Sequence, residues 1–210
     1  MGSRIMHYCI TSLLSKELRI DNEQFMLGGI APDVHKYMNE TKSKSHFFSI
    51  DDLGMLRTEY DRFIEKYFNQ TIHPFHLGYY FHLLSDSIWL DGIYYKKIKW
   101  LPQPEKKEAQ IKYYRDFWRL NGKLIEYYQL ELIPIEVEPI ELEEIDYRCL
   151  PALLNDLASD FDRKDEARDE QLELLDFNEV IDAIEKSVLV CSAQFNELAV
   201  SCTKKGLSTI

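Results

Sequence analysis

His82 and Asp86 stand four residues apart in "GYYFHLLSDSIW", residues 78–89. On a helix, positions four apart share a face, with Cβ atoms about 6 Å from each other. Imidazole and carboxylate both ligate zinc through bonds of about 2.0–2.2 Å, so one ion can bridge such a pair. The same spacing also makes ordinary helical salt bridges, and HxxxD arises often by accident. Its company favours the metal reading. All six histidines (His7, His35, His46, His73, His76 and His82) lie in the first 82 of 210 residues. Asp33 ends an apolar run in the turn "GGIAPD", and His46 sits in the polar loop "KSKSHFF". His7 shares a helical face with Ile10, Thr11 and Leu14. The bland alternatives are a turn aspartate and a satisfied core histidine. Gly78, one turn before His82, would leave approach to the pair open, and Trp89 would wall it. His35 is a further candidate ligand for a second metal. His73 and His76 face elsewhere on a continuous helix and read as helix-start or surface residues.

Taken in order, His7, Asp33, His46, His82 and Asp86 resemble the zinc-dependent phospholipase C family, an all-α fold shared with certain zinc nucleases. The resemblance rests on the early helical histidine, "GGIAPD", "SHF" and above all "LGYYFHLLSD" (Leu77 to Asp86), and it covers about residues 1–95. It implies that Asp33, His46, His82 and Asp86 bind one zinc. His7 would join a second ion, with Asp86 bridging the two. Asp33 would also be a candidate general base, so it is the expected catalytic residue. One or two Zn2+ ions, or another divalent metal, would activate water against a small anionic phosphate ester. The chain departs from the secreted members of that family. It lacks their initial tryptophan, whose amino group binds metal, and no histidine follows His82 to supply their downstream His…HxxxE group. A complete trinuclear site is therefore excluded.

The elements that must position these residues read as helices. Helical spacing predicts a helix over 5–17. Ser49 and Asp52 make a capping-box pattern ahead of Leu53, Leu56, Tyr60, Phe63, Ile64 and Tyr67. Pro74 suits the first turn of a helix running to about residue 97. Pro104 starts another, with Ile111, Tyr114, Trp118, Ile125 and Tyr128 inward and a kink or division at Asn121-Gly122. The segment 131–146, "ELIPIEVEPIELEEID", alternates acids with aliphatics but holds two prolines, so it reads as an edge strand or arm. Residues 151–175 read as one or two short charged helices. From 178 on, Ile181, Ile184, Val188, Cys191, Phe195, Leu198 and Cys202 form a seam that buries against the bundle or serves a homodimer. The expected fold is an all-α, single-domain helical bundle over residues 1–210 of the phospholipase C/zinc nuclease type. Residues 1–95 would form its metal-site core, and 100–210 its additional helices and acidic segment.

Composition narrows the function. The formal net charge is −11, and residues 131–175 alone carry fifteen acids against four bases. Residues 94–119 carry eight bases and three acids, a face able to sit beside an anionic substrate. A strongly acidic chain without a basic recognition helix is a poor nucleic-acid binder. No apolar run approaches the roughly 20 residues of a transmembrane span. The N-terminal stretch lacks a clear hydrophobic region and cleavage site, which points to a cytoplasmic protein. The four cysteines, Cys9, Cys149, Cys191 and Cys202, show no CxxC spacing and read as reduced, buried thiols. Two functions stand against each other. One is a metal-dependent phosphoric-ester hydrolase acting on a phosphodiester or phospholipid-like substrate through a metal-activated water. The other is a degenerate, non-catalytic relative holding a structural metal, with the acidic half as a partner surface. An HD-type phosphohydrolase ranks below both, because the chain contains no His-Asp dipeptide.

Overall fold

Polar side chains set the helix starts. In the computed structural model, which describes residues 2–68 and 71–204 with side chains to residue 200, helix α1 (Arg4–Leu18) begins at Ser3. The Ser3 hydroxyl accepts from the Met6 N–H, and the Met6 sulfur receives the Ser3 N–H. Helix α2 (Glu23–Gly28) begins at Asn22, whose Oδ1 accepts from the N–H groups of Gln24 and Phe25. A 3-10 segment, Ala31–Tyr37, with Pro32 in its first turn, carries Asp33. Helix α3 (Lys42–Ser45) is a single turn that delivers His46. Strands β1 (Phe48–Ile50) and β2 (Leu56–Thr58) pair antiparallel, Ser49 opposite Arg57. Helices α4 (Tyr60–Tyr67), α5 (Pro74–Trp89), α6 (Glu105–Tyr127), α7 (Leu150–Asp162) and α8 (Phe177–Lys204) complete the order. The described residues are thus mostly helical, with one small hairpin.

Helix α5 is the spine. From Phe75 to Asp86 every residue but His76 is buried. Pro74 opens it, and His73 caps it by accepting the Phe75 N–H on Nδ1. It packs against α1, α2, α4 and α8. Its closest neighbour is α2, where two glycines bring backbones together. A Cβ on Gly78 would lie 2.1 Å from the Phe25 carbonyl oxygen, and one on Gly28 would lie 2.0 Å from the Phe75 carbonyl oxygen. Gly78 therefore does not open the metal approach, as the sequence suggests. It is filled by α2. Trp89 likewise does not wall the site but donates its indole N–H to the Tyr113 hydroxyl at 2.5 Å and packs on Phe117.

Several other expectations need correction. No helix spans 52–58: the Asp51 carboxylate accepts from the N–H groups of Leu53 and Met55, and Gly54 takes φ +71°. These turn contacts close the hairpin, leaving Leu53 82% exposed. Helix α5 ends at Trp89, and the chain continues as a π-helix over Leu90–Lys99. Helix α6 runs unbroken past Asn121 and Gly122. Its inward face differs from the predicted one in the first half of the helix: Ile125 is buried as expected, but Ile111 and Tyr114 are exposed, while Tyr113, Asp116, Leu120 and Leu124 are buried. The reason is polar. The buried Asp116 carboxylate accepts from the backbone N–H groups of Glu173, Leu174 and Leu175 and from Arg119. That contact turns α6 toward the chain that leads into α8. His76 lies in the first turn of α5, one of the two places expected for it, half-buried against Phe63 and Tyr67.

Residues 131–146 form no strand. They run as an arm, held where Tyr8 donates to the Glu131 carbonyl, Gln24 donates to the Glu136 carbonyl, and Lys66 meets Glu143 and Glu144. Residues 151–175 give one helix, α7, and then turns. The α8 seam is used inside the molecule: Ile181, Ile184 and Cys191 are buried, and α8 packs on α1 and α5. Cys9, Cys149 and Cys191 are free thiols, Cys149 only half-buried, and the Cys202 side chain lies outside the described residues. No helix among the described residues is long and apolar enough to cross a membrane.

Candidate metal centre

Four elements bring the five predicted residues together. Helix α1 supplies His7, the 3-10 segment Asp33, the end of α3 His46, and α5 both His82 and Asp86. His46 and Asp86 are fully buried, His82 and His7 nearly so, and only the Asp33 side chain reaches solvent, at 15% exposure. Nε2 of His46 lies 3.2 Å from His82 Nε2, 3.4 Å from Asp33 Oδ1 and 3.5 Å from Asp86 Oδ2. His82 Nε2 lies 3.9 Å from the same Asp86 oxygen. Four donors bonded tetrahedrally to zinc at about 2.0–2.2 Å stand about 3.3–3.6 Å apart. Three of the observed separations lie close to the edges of such a shell, and the fourth, 3.9 Å between His82 Nε2 and Asp86 Oδ2, is longer.

The far sides of the rings are held as well. The His82 Nδ1–H donates to the Gly29 carbonyl at 2.9 Å, which leaves the Nε2 lone pair facing the cluster. That carbonyl is in reach because α2 and α5 touch through their glycines, and because Gly29 itself packs on Thr11, where a Cβ would meet Oγ1 at 2.0 Å. His7 Nδ1 faces the Ser85 hydroxyl at 3.2 Å, and that hydroxyl donates to the His82 carbonyl. His46 Nδ1 faces the Ser45 hydroxyl at 2.8 Å. With no cation, one shared proton reconciles His46 Nε2 with His82 Nε2. Turning the Ser45 hydroxyl toward the Lys42 carbonyl, 3.3 Å away, moves the His46 proton to Nδ1 and frees its Nε2. His7 Nε2 is different: it is buried without a hydrogen-bond partner among the described residues, 3.2 Å from Asp86 Oδ1. A neutral imidazole lone pair beside a carboxylate oxygen asks for a cation.

The remaining predicted histidines stay outside. The His35 ring meets His46 edge-on at 5.6 Å, but its Nδ1 donates to the Pro32 carbonyl. His73 is a helix cap. Among the described residues, only two groups have ligand atoms mutually close enough for an ion: His7, Asp33 and His82; and His46, His82 and Asp86. One participant escapes the sequence reading. The Lys42 ammonium lies 3.5 Å from Asp33 Oδ1 and 3.7 Å from Asp86 Oδ2. Its signal is the i,i+4 spacing to His46 in "KSKSH".

Electrostatics keep the imidazoles neutral, as ligation requires. Burial holds His7 well below the ordinary 6.5, helped by the neighbouring His82 ring. Burial and the Lys42 ammonium do the same for His46. Burial brings His82 down to about 3 against the opposing pull of Asp33. For Asp33, burial pushes upward, but the Lys42 ammonium and adjacent imidazoles hold it well below 3.8. A histidine lowered on folding adds full stability above its unfolded value and loses it as pH falls toward its folded value. The metal-free protein is therefore expected to be most stable above pH 6.5 and to lose stability steadily below it, as the unfolded chain takes up protons that the folded one refuses. Asp33 acts in the same direction, but only below 3.8. Thermal melts in chelator from about pH 8 to pH 4 check this, and a flat melting temperature over that range would contradict it.

Two surface clefts lie elsewhere. One of about 730 Å3 is lined by residues that include Tyr37, Glu143 and Arg148, and one of about 640 Å3 by residues that include Lys123, Tyr127 and Phe177. None of the five cluster residues lines either, so their size says nothing about the chemistry of the cluster. Against known proteins, the chain matches no family model, no curated sequence and no solved structure.

Proposed function

We propose that this protein is a metal-dependent hydrolase of phosphodiesters, similar in mechanism to the zinc-dependent phospholipases C. The observation that supports it most is the convergence of three neutral imidazoles and two carboxylates in two overlapping groups at ligand spacing, with His7 Nε2 lacking a hydrogen-bond partner among the described residues. The order of the five residues along the chain, which resembles that family, adds to it. Asp33, His46, His82 and Asp86 would hold the ion, with His7 beside the outer oxygen of Asp86. The donor set of nitrogens and carboxylate oxygens suits zinc. When bound, such an ion supplies Lewis acidity and brings the pKa of water toward neutrality.

The chain's own residues then divide the work. Asp86 is fully buried and spans His7 on one oxygen and His46 with His82 on the other, so it orders the cluster. Asp33, at the solvent edge, stays ionised and receives the proton of the attacking water. Its low pKa makes it a weak base, suited to relaying that proton to the departing alkoxide. A P–O bond to the water oxygen forms, the P–O bond to the alcohol breaks, and the alcohol leaves protonated. A phosphodiester must approach past Asp33 and Lys42, the two members of the cluster with exposed side-chain surface.

The experiment is elemental analysis of the purified protein together with hydrolysis of bis(p-nitrophenyl) phosphate. Bound zinc, activity lost to a chelator, and activity restored by Zn2+ are expected. Protein that hydrolyses the ester free of metal would refute this function. The depth of burial favours a second reading, a structural ion in a non-catalytic relative. Bound zinc with no hydrolysis of any phosphodiester would establish that reading.

A further inference from the structure

Lys42 is a cation already seated among the ligands. Its ammonium lies 3.5 Å from Asp33 Oδ1 and 3.7 Å from Asp86 Oδ2, the same two carboxylate oxygens that flank His46 Nε2. Its position is built in. Lys42 and His46 are the two ends of the single turn α3, and the His46 N–H donates to the Lys42 carbonyl at 3.0 Å. The Ser45 hydroxyl bonds that carbonyl as well, at 3.3 Å. The turn that aims the imidazole therefore also aims the ammonium. We infer that Lys42 takes the place of a second metal ion, so that the centre holds a single divalent cation. This rests on the metal-centre reading above.

Charge supports it. Among the described residues, the cluster contains two carboxylates, three neutral imidazoles and the Lys42 ammonium. One divalent ion brings the sum to a single positive charge, which a phosphodiester monoanion neutralises. A second divalent ion would leave three positive charges in a buried site, with an ammonium against two metals and no added anionic ligand. The ligands for a second ion are also few. The two candidate groups, His7 with Asp33 and His82, and His46 with His82 and Asp86, both need His82, whose Nδ1 is engaged by the Gly29 carbonyl and which has only Nε2 left to give. With the ion held on one side, Lys42 is left as the second positive group facing a phosphoryl oxygen, a role a metal pair otherwise fills.

The test counts ions and does not depend on activity. Full-length protein, stripped with chelator, is titrated with Co2+ followed by visible absorption, and its zinc content after equilibrium dialysis is measured. Wild type and Lys42→Arg are expected to bind one equivalent. Lys42→Met, which keeps the stem but removes the charge, is expected to bind two. If Lys42→Met fails to fold by circular dichroism, Lys42→Gln takes its place. Two equivalents in wild type, or one in a folded charge-free variant, would overturn the inference while leaving the metal centre standing. No metal in any of the four proteins would instead refute the metal centre itself.

Discussion

Replacing His82 or Asp86 with alanine is expected to lower zinc affinity more than about 100-fold and to remove phosphodiester hydrolysis. Changes to groups that merely orient a ligand cost about 10–100-fold in metal affinity, so deleting a ligand costs more. Each residue is central for a distinct reason. His82 Nε2 is 3.2 Å from His46 Nε2, and its ring stacks on His7 with centroids 3.7 Å apart, so its loss removes a donor and the support of two others. Asp86 faces different imidazoles with its two oxygens, His7 on Oδ1 and His46 with His82 on Oδ2. Without it the remaining donors have no common carboxylate. Alanine is the best helix former, so α5 should persist in both variants. Competition against a chromophoric chelator reads the affinity, and circular dichroism confirms the helix. Tight zinc binding retained in both variants would refute the site.

Gly78→Ala is expected to destabilise the protein by at least about 3 kcal/mol and to weaken metal binding with it. Overpacking a core usually costs about 1–3 kcal/mol, because neighbouring side chains shift. Here the obstacle is backbone: the new Cβ would stand 2.1 Å from the Phe25 carbonyl oxygen and 2.8 Å from the Gly29 nitrogen. Neither is the tip of a flexible side chain, so α2 must move off α5. A loss of about 3 kcal/mol lowers the melting temperature of a chain this size by roughly 6–12 °C. Moving α2 also withdraws the Gly29 carbonyl from His82 Nδ1, where it sits at 2.9 Å. The variant should therefore show reduced zinc affinity at temperatures where it is fully folded. Wild-type melting would disprove the close crossing, and wild-type affinity in a destabilised variant would disprove the orienting role of the carbonyl.

What the sequence makes legible follows from physical range. The i,i+4 pair His82 and Asp86 is set by helix geometry alone, so it can be read without tertiary information. His7 on the buried face of α1 is legible for the same reason. The π-helix, by contrast, is hidden because Trp89, Leu90 and Ile93 continue the apolar spacing of α5, and only the five-residue step from Ile93 to Ile98 departs from an α-helical face. The hairpin is hidden because Leu53, Leu56 and Tyr60 fall at three- and four-residue spacing by coincidence, and Ser49 with Asp52 mimics a capping box, while the contacts that decide the matter are made by Asp51. The face of α6 is shifted because a buried carboxylate, Asp116, finds its partners about sixty residues later in the chain. Lys42 is missed because a lysine in a polar loop ordinarily points to water, and only the fold of α3 against the 3-10 segment turns it inward.

The bond from His82 to Gly29 uses a main-chain oxygen, which every amino acid possesses. Selection acting on side chains cannot delete it. It can only change how near the two helices lie, and Gly28 and Gly78 set that distance. The proton position on one histidine is thus inherited through the shape of a helix crossing rather than through the identity of a partner residue. A designer transplanting α2, the 3-10 segment and α5 as one block would carry Asp33, His82, Asp86 and the correct tautomer together, leaving His7 on α1 and the α3 turn with Lys42 and His46 to be supplied by the host.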